Sequence, residues 1–272
     1  MTTVASGGPG EILAATSRTI ASVPWRWWLL PAVIAVVLLV APPLIWARLE
    51  GPSFNMWPMV PYGLLKLLLK PISFLAFNGL FEVAAASVLL ALMTGRRVDA
   101  GQALRRGFRA LPTLSPYIFA ETPLVAAIAW WVLSHTDGFA NSASEAAIAR
   151  VTLILSMGIS LVRLGKVFFF GVLVQTVVEE DVHGLVAYLR AARRLKPQRW
   201  LLVGLALVWM VVCGAPDIIE RVWLKLEAPT RINVWLLAGG NLLWAVFAAA
   251  FYLQLLNLRA AVAPGEVAGV FD

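Results

Sequence analysis

The sequence predicts an all-α, polytopic membrane protein with six transmembrane helices, arranged as three hairpins that each follow an amphipathic interfacial helix. Three observations predict this class: the composition, six apolar runs of membrane length, and a basic segment before every second run. Hydrophobic residues make up 60% of the 272 residues and charged residues 14%, against about 45–50% and about 25% in soluble domains. Since such a chain has too little polar surface to cover itself in water, we expect one membrane domain, residues 1–272.

Six apolar runs are long enough to cross a hydrocarbon core of about 30 Å, which takes roughly 20 helical residues. Their apolar residues are continuous rather than alternating, which predicts helices and not barrel strands. The predicted spans are Trp27–Ala47, Pro71–Thr94, Leu111–Ser134, Val151–Val178, Trp200–Pro216 and Ile232–Leu258.

Three short basic segments introduce the hairpins, and each is amphipathic when drawn as a helix. They are Ile12–Val23, Val98–Leu111 and Val182–Leu195. Such helices can lie in the headgroup layer, with arginines reaching anionic lipid phosphates. One interpretation is that they only anchor the hairpins, and the other is that they bind a lipid or a partner protein. The basic residues concerned are Arg105, Arg106, Arg109, Arg190, Arg193 and Arg194.

The lysines and arginines outside the spans are concentrated on the side of the three basic segments. The positive-inside rule therefore predicts that this side is cytoplasmic and that both termini lie there. We expect a multi-pass protein of the bacterial cytoplasmic (inner) membrane. Trp25, Trp27, Trp28 and Trp200 would then lie at the inner interface, where aromatic belts form.

The order of elements predicts a triplicated unit, with repeats at residues 11–94, 98–178 and 182–258. A shift of 84 residues aligns Arg106 with Arg190 and Arg109 with Arg193. Fixed periods of this kind report repeated structural units. Because the identities are few and the composition is biased, chance similarity is the alternative.

Four ionisable residues occur at span depth: Glu82, Glu121, Arg163 and Lys166. An isolated charge there costs about 2.5–3.5 kcal/mol on insertion scales, so pairing is expected. Glu82 and Lys166 occupy equivalent repeat positions and are expected to face each other, with Glu121 joining them or Arg163. The structural interpretation is an ion-pair cluster, supported by Asn78, Asn241 and Gln254. The functional one is a proton or substrate site.

No catalytic motif is recognisable, and we expect neither enzymatic activity nor a cofactor, metal or nucleic-acid partner. Glu179, Glu180 and Asp181 form an acidic cluster beside His183. This cluster is expected to cap the following helix, whose N-terminus attracts negative charge, and a metal site is the alternative. Gly165 and the pair Gly239-Gly240 are expected to permit close helix packing.

One stretch of the chain resembles a known bacterial pattern. After a span ending Leu-Met-Thr it reads Gly95-Arg-Arg-Val-Asp-Ala-Gly-Gln-Ala-Leu-Arg-Arg-Gly, and a second copy begins at Val178-Glu-Glu-Asp-Val-His-Gly. The pattern is similar to the membrane domain associated with some glycerophosphoryl diester phosphodiesterases and with related six-span inner-membrane proteins. The resemblance implies six helices and a bacterial cytoplasmic membrane. It implies no catalysis, because the phosphodiesterase head is a separate soluble domain.

Two functions of different classes are compatible with these features. The first is a non-enzymatic membrane protein that organises lipids or a partner protein through its basic helices, with anionic headgroups and a membrane protein or a second copy as partners. The alternative is a small transporter or channel that uses the Glu82, Glu121, Arg163 and Lys166 cluster.

Overall fold

The computed structural model is all-helical in the part of the chain that it describes, residues 8–49, 59–96, 100–124, 126–127, 145–218 and 231–261. We number the α-helices in chain order. They are α1 (Pro9–Ala21), α2 (Leu29–Ala35), α3 (Ala41–Leu49), α4 (Met59–Met93), α5 (Ala100–Ile118), α6 (Glu145–Phe170), α7 (Leu173–Glu180), α8 (Leu185–Leu195), α9 (Arg199–Ile218) and α10 (Arg231–Ala261).

Among these residues four helical stretches are long and apolar enough to cross a membrane: Trp25–Trp46, Ile72–Met93, Leu185–Val212 and Val234–Asn257. A fifth span results if the bent pair Met157–Phe170 and Leu173–Glu180 counts as one. The chain is therefore a multi-pass helical membrane protein. Six spans in three hairpins stay a prediction, since the third predicted span extends into residues 128–134, outside the described residues.

Two predicted spans differ from the structure in their continuity. Val151–Val178 was expected as one long helix, but it breaks at Gly171 and Val172, and the two parts are bent by 43°. Conversely, the amphipathic segment before the fifth span is not separate from it. A single 3₁₀ turn, Lys196–Gln198, joins α8 to α9. Pro197 lies in the first turn of that 3₁₀ segment, where its missing N–H costs no hydrogen bond.

The first span contains a π-helical turn, Val36–Val40, between α2 and α3. Pro42 and Pro43 follow it after one residue, Ala41. A proline inside a helix removes one backbone hydrogen bond and presses on the carbonyl four residues earlier. The wider π turn accommodates that conflict without ending the helix.

The core lies where α4, α7 and α10 contact one another, with α5 packed along α4. Small side chains line this contact: Ala84, Ala85 and Ala86 on α4 and Ala248, Ala249 and Ala250 on α10 are all buried. Small residues let helix backbones approach closely in a membrane, where van der Waals packing holds helices together.

Close approach of α4 and α5 depends on Gly79, because a Cβ there would lie 2.5 Å from Cδ1 of Ile118. The glycines expected to serve this purpose do not. A Cβ on Gly165 or Gly239 would meet nothing within 4 Å, so that expectation is wrong for both. Gly240 contributes its carbonyl oxygen instead, which accepts a hydrogen bond of 3.0 Å from Nε1 of Trp209.

The first helix packs against the last. α1 contacts α10, and its Ile12 and Thr16 are almost fully buried. Nε2 of Gln254 on α10 donates a 2.8 Å hydrogen bond to Oγ1 of Thr19. One face of this predicted interfacial helix therefore packs against the bundle.

Candidate functional site

Ion pairs and hydrogen bonds join the end of α4 to the end of α7, and the end of α7 to α8 and α10. Arg96, just after α4, donates two hydrogen bonds to Glu179, at 3.2 and 2.5 Å. Glu180 pairs with Arg190 at 3.3 Å and also with Arg194. Tyr252 of α10 donates to Oε1 of Glu180 at 2.8 Å. Its hydroxyl also accepts from Arg194 at 2.5 Å.

These contacts correct the interpretation of the acidic cluster. The residue before α8 is Gly184, and no side chain caps that helix. Glu179 and Glu180 belong to the end of α7 and are paired with arginines, while Asp181 follows in a left-handed conformation, φ 52°. Asp181 also lies 3.4 Å from Nε2 of His183. The cluster thus links helix ends and does not cap a helix.

Thr113 connects α5 to the turn between α7 and α8. Its Oγ1 accepts a 3.2 Å hydrogen bond from the backbone N–H of Gly184 and lies 3.5 Å from Nδ1 of His183. Its carbonyl oxygen accepts a 3.0 Å bond from the hydroxyl of Tyr188. Thr113 of α5, the start of α8, the ends of α4 and α7 and Tyr252 of α10 therefore lie close together at one end of the bundle.

We call this region the arginine end and define it by Arg105, Arg106, Arg109, Arg190, Arg193 and Arg194. Arg190 and Arg194 are paired with Glu180, as above. Arg105, Arg106, Arg109 and Arg193 are exposed and form no ion pair with any described residue. Large apolar side chains beside them are exposed as well: Phe108 at 60%, Leu185 at 73% and Trp200 at 74%. This combination of arginine and exposed apolar surface suits a headgroup layer.

Three of the four intramembrane charges meet at Glu121, and the contact of Glu121 with Arg163 is one of those expected from the sequence. Glu121 is 3% exposed. Its carboxylate lies 3.2 Å from Nε of Arg163 and 3.4 Å from Nζ of Lys166. Lys166 also sits 4.4 Å from the centre of the Tyr117 ring, a cation–π contact.

Glu82 stands apart from this trio and makes no ion pair among the described residues. The expected face-to-face contact of Glu82 with Lys166 is therefore absent. That expectation assumed one straight helix from Val151 to Val178. Because the helix bends at Gly171, Lys166 on α6 turns toward the α5 side, while α7 alone continues against α4.

Glu82 instead lines a cavity of about 40 Å³. Four other polar side chains share its wall: Asn78, Tyr117, Gln175 and Asn241. Gln175 is only 6% exposed, and its Oε1 is buried without a hydrogen-bond partner. Gly171, at the break between α6 and α7, lines the same cavity.

Sequence reasoning missed Gln175 and Tyr117 as members of this site. Gln175 is the one glutamine in the predicted span Val151–Val178, and a polar residue inside a span is a usable signal. Asn78 and Asn241 were expected to support an ion pair but border the Glu82 cavity. Gln254 bonds to Thr19, away from all four charges.

These features define the class as a multi-pass helical membrane protein with a charged end and a polar cavity between its helices. No protein-family model, curated protein or solved structure matches the chain significantly. The resemblance to the phosphodiesterase-associated membrane domain, the triplicated unit and the inner-membrane orientation therefore stay predictions.

Proposed function

We propose that this is a non-enzymatic protein of the bacterial inner membrane that binds and organises anionic lipids through its arginine end. The observation that supports this is the set of exposed arginines, Arg105, Arg106, Arg109 and Arg193, which no described acid neutralises. Neighbouring Arg190 and Arg194 are both paired with Glu180. The bundle thus uses some of its arginines internally and leaves others exposed to an outside partner.

Anionic headgroups fit this surface better than a soluble ligand does. The helices that carry the exposed arginines, and the start of α9, also expose Phe108, Leu185 and Trp200, whose apolar surface suits the boundary between headgroups and acyl chains. Each arginine near an anionic membrane surface contributes about 1 kcal/mol. Three arginines on one helix face therefore give a strong preference for anionic over zwitterionic lipid.

The test replaces Arg105, Arg106 and Arg109 together with glutamine and measures the phosphatidylglycerol or cardiolipin retained by the detergent-purified protein. At about 1 kcal/mol each, the three losses together should lower the affinity somewhat more than about a hundredfold. The matched control replaces Arg221, Lys225 and Arg231, which are predicted to lie on the opposite side. Retention that is unchanged by the first triple variant, or lowered equally by both, would contradict the proposal.

A second candidate, a small transporter or channel, is favoured by one specific observation. The break between α6 and α7 borders the cavity of Glu82, and secondary transporters commonly bind ions and substrates where helices are discontinuous near the midplane. Its test is ion flux in reconstituted vesicles. A Glu82→Gln protein that is stable and has unaltered flux would exclude this cavity as the pathway.

A further inference from the structure

We infer that the cavity beside Glu82 is a binding site for one monovalent metal cation of the size of Na⁺. The ligands would be the carboxylate of Glu82 and neutral oxygens from Gln175, Asn78 and Asn241. Binding at this cavity does not depend on lipid binding at the arginine end, so each can fail without the other.

The first argument is the charge of Glu82. A carboxylate within a membrane span requires a counter-charge. Arg163 and Lys166 act on Glu82 electrostatically, but both lie within 3.4 Å of Glu121 and form no ion pair with Glu82. A cation in the cavity would supply the direct partner that no described residue provides.

The second argument is the unpartnered oxygen of Gln175. A buried acceptor without a hydrogen bond costs about 1–3 kcal/mol. Gln175 lies on the cavity wall and its Oε1 is that acceptor. Glu82 as an anion adds only acceptors. A group that satisfies both the Gln175 oxygen and the Glu82 carboxylate must be a hydrogen-bond donor or a cation.

The third argument is size and ligand type. At about 10–15 Å³ for each water-sized particle, a cavity of about 40 Å³ holds a small ion with one or two waters, and no organic substrate of metabolite size. Calcium sites use six to eight oxygen ligands, commonly with several carboxylates. One carboxylate among neutral amides matches the single charge of a monovalent ion.

The fourth argument is the helix break. Ends of helices leave backbone carbonyls without intrahelical partners. Gly171 lies between the end of α6 and the start of α7 and borders the cavity. Unwound carbonyls and the C-terminal ends of half-helices are the groups that coordinate Na⁺ in discontinuous-helix transporters.

The experiment measures binding of radioactive ²²Na⁺ to the full-length purified protein, with choline chloride keeping ionic strength constant. We expect saturable binding at one site per chain. Glu82→Gln and Gln175→Met should each weaken it at least about tenfold, equivalent to about 1.4 kcal/mol. Trp244 lines the cavity, so a Na⁺-dependent change in tryptophan fluorescence should be lost in Trp244→Phe.

Gln254→Met is the matched control, because Gln254 is a polar residue of the same bundle whose partner is Thr19. It should bind ²²Na⁺ like the unmodified protein. If Glu82→Gln does not fold, the ²²Na⁺ affinity of Gln175→Met alone tests the inference, once thermal unfolding has shown that this variant is folded. Absence of saturable ²²Na⁺ binding to the unmodified protein would overturn the inference. Saturable ²²Na⁺ binding that is unchanged in folded Gln175→Met and Glu82→Gln would overturn it too. So would a tryptophan fluorescence signal that changes with pH and not with Na⁺.

Discussion

Glu121 is the one charged residue that is almost fully buried in the part of the chain that the structure describes. It contacts two cations, Arg163 and Lys166, from a short 3₁₀ segment, Phe119–Glu121. Removing one partner of a buried pair is costly because the remaining charge stays desolvated. The trio is therefore a packing contact between the α5 side of the bundle and α6.

Replacing Glu121 with glutamine should destabilise the protein by about 2–3 kcal/mol. This is below the usual cost of breaking a fully buried pair, about 3–5 kcal/mol, because half of the Arg163 side chain is exposed. The double variant Glu121→Gln with Lys166→Met should recover part of the loss. Thermal unfolding in detergent measures both.

Arg96→Gln is the control for this comparison. Its partner is Glu179, but 57% of the Arg96 side chain is exposed, and exposed pairs contribute about 0–1 kcal/mol. If the losses of stability caused by Glu121→Gln and Lys166→Met are simply additive in the double variant, the ion pair contributes nothing to stability and the interpretation is wrong.

The four charges at span depth were predictable from sequence, and so was the contact of Glu121 with Arg163, but the partner of Lys166 was not. Glu82, Glu121, Arg163 and Lys166 stand out because charge in an apolar run is rare. Which acid meets Lys166 depends on the direction of its helix, and a bend without proline leaves no clear signal in Phe168-Phe169-Phe170-Gly171.

The break between α6 and α7 depends on Gly171. A Cβ there would lie 2.7 Å from the carbonyl oxygen of Val167 and 2.5 Å from Cδ2 of Leu202. The first contact is with backbone, so a rotamer change cannot relieve it. The bend of 43° and the close packing of Leu202 therefore both require a glycine at this position.

Gly171→Ala should lower the unfolding temperature, and it should also change the tryptophan fluorescence of Trp244 because the break borders the same cavity. Gly165→Ala is the matched control, six residues earlier in α6 with nothing within 4 Å of a Cβ. It should be neutral or stabilise by about 0.5–1 kcal/mol, the usual gain for alanine over glycine in a helix. Equal destabilisation by the two variants would argue against a special role for the break.

Most helix positions followed from apolar length alone. The predicted spans Pro71–Thr94 and Ile232–Leu258 coincide closely with the candidate spans Ile72–Met93 and Val234–Asn257. Continuity between elements was less predictable. The segment Val182–Leu195 and the span Trp200–Pro216 were predicted as separate elements. The 3₁₀ turn at Lys196–Gln198 joins them instead, because a proline in a first turn needs no N–H partner.

Across the bundle, the arginine end collects parts of the chain that are far apart in sequence. Arg96 meets Glu179, Glu180 meets Tyr252, and Thr19 meets Gln254. The three basic segments thus lie on one side of the bundle, as their predicted cytoplasmic location requires. Which side of the membrane this is stays a prediction from the distribution of positive charge.

Labelling with a membrane-impermeant maleimide tests that orientation. Cys213 is the only cysteine, so a Cys213→Ser background permits single cysteines at the exposed positions Ser17, Gln102 and Lys196. All three should react only after the cells are permeabilised. Asn55→Cys, in a segment outside the described residues and predicted to be external, should react in intact cells. Reaction at Ser17 or Lys196 in intact cells would reverse the predicted topology.

The contact between Thr19 and Gln254 spans 235 positions, and this has a consequence for biosynthesis. At about 5–20 residues per second, the ribosome needs roughly 12–50 s after making α1 before its partner on α10 emerges. During that interval the face of α1 that carries Thr16 and Thr19 lacks its contacts with α10. A nascent chain released early would therefore keep this face of α1 without its partner on α10.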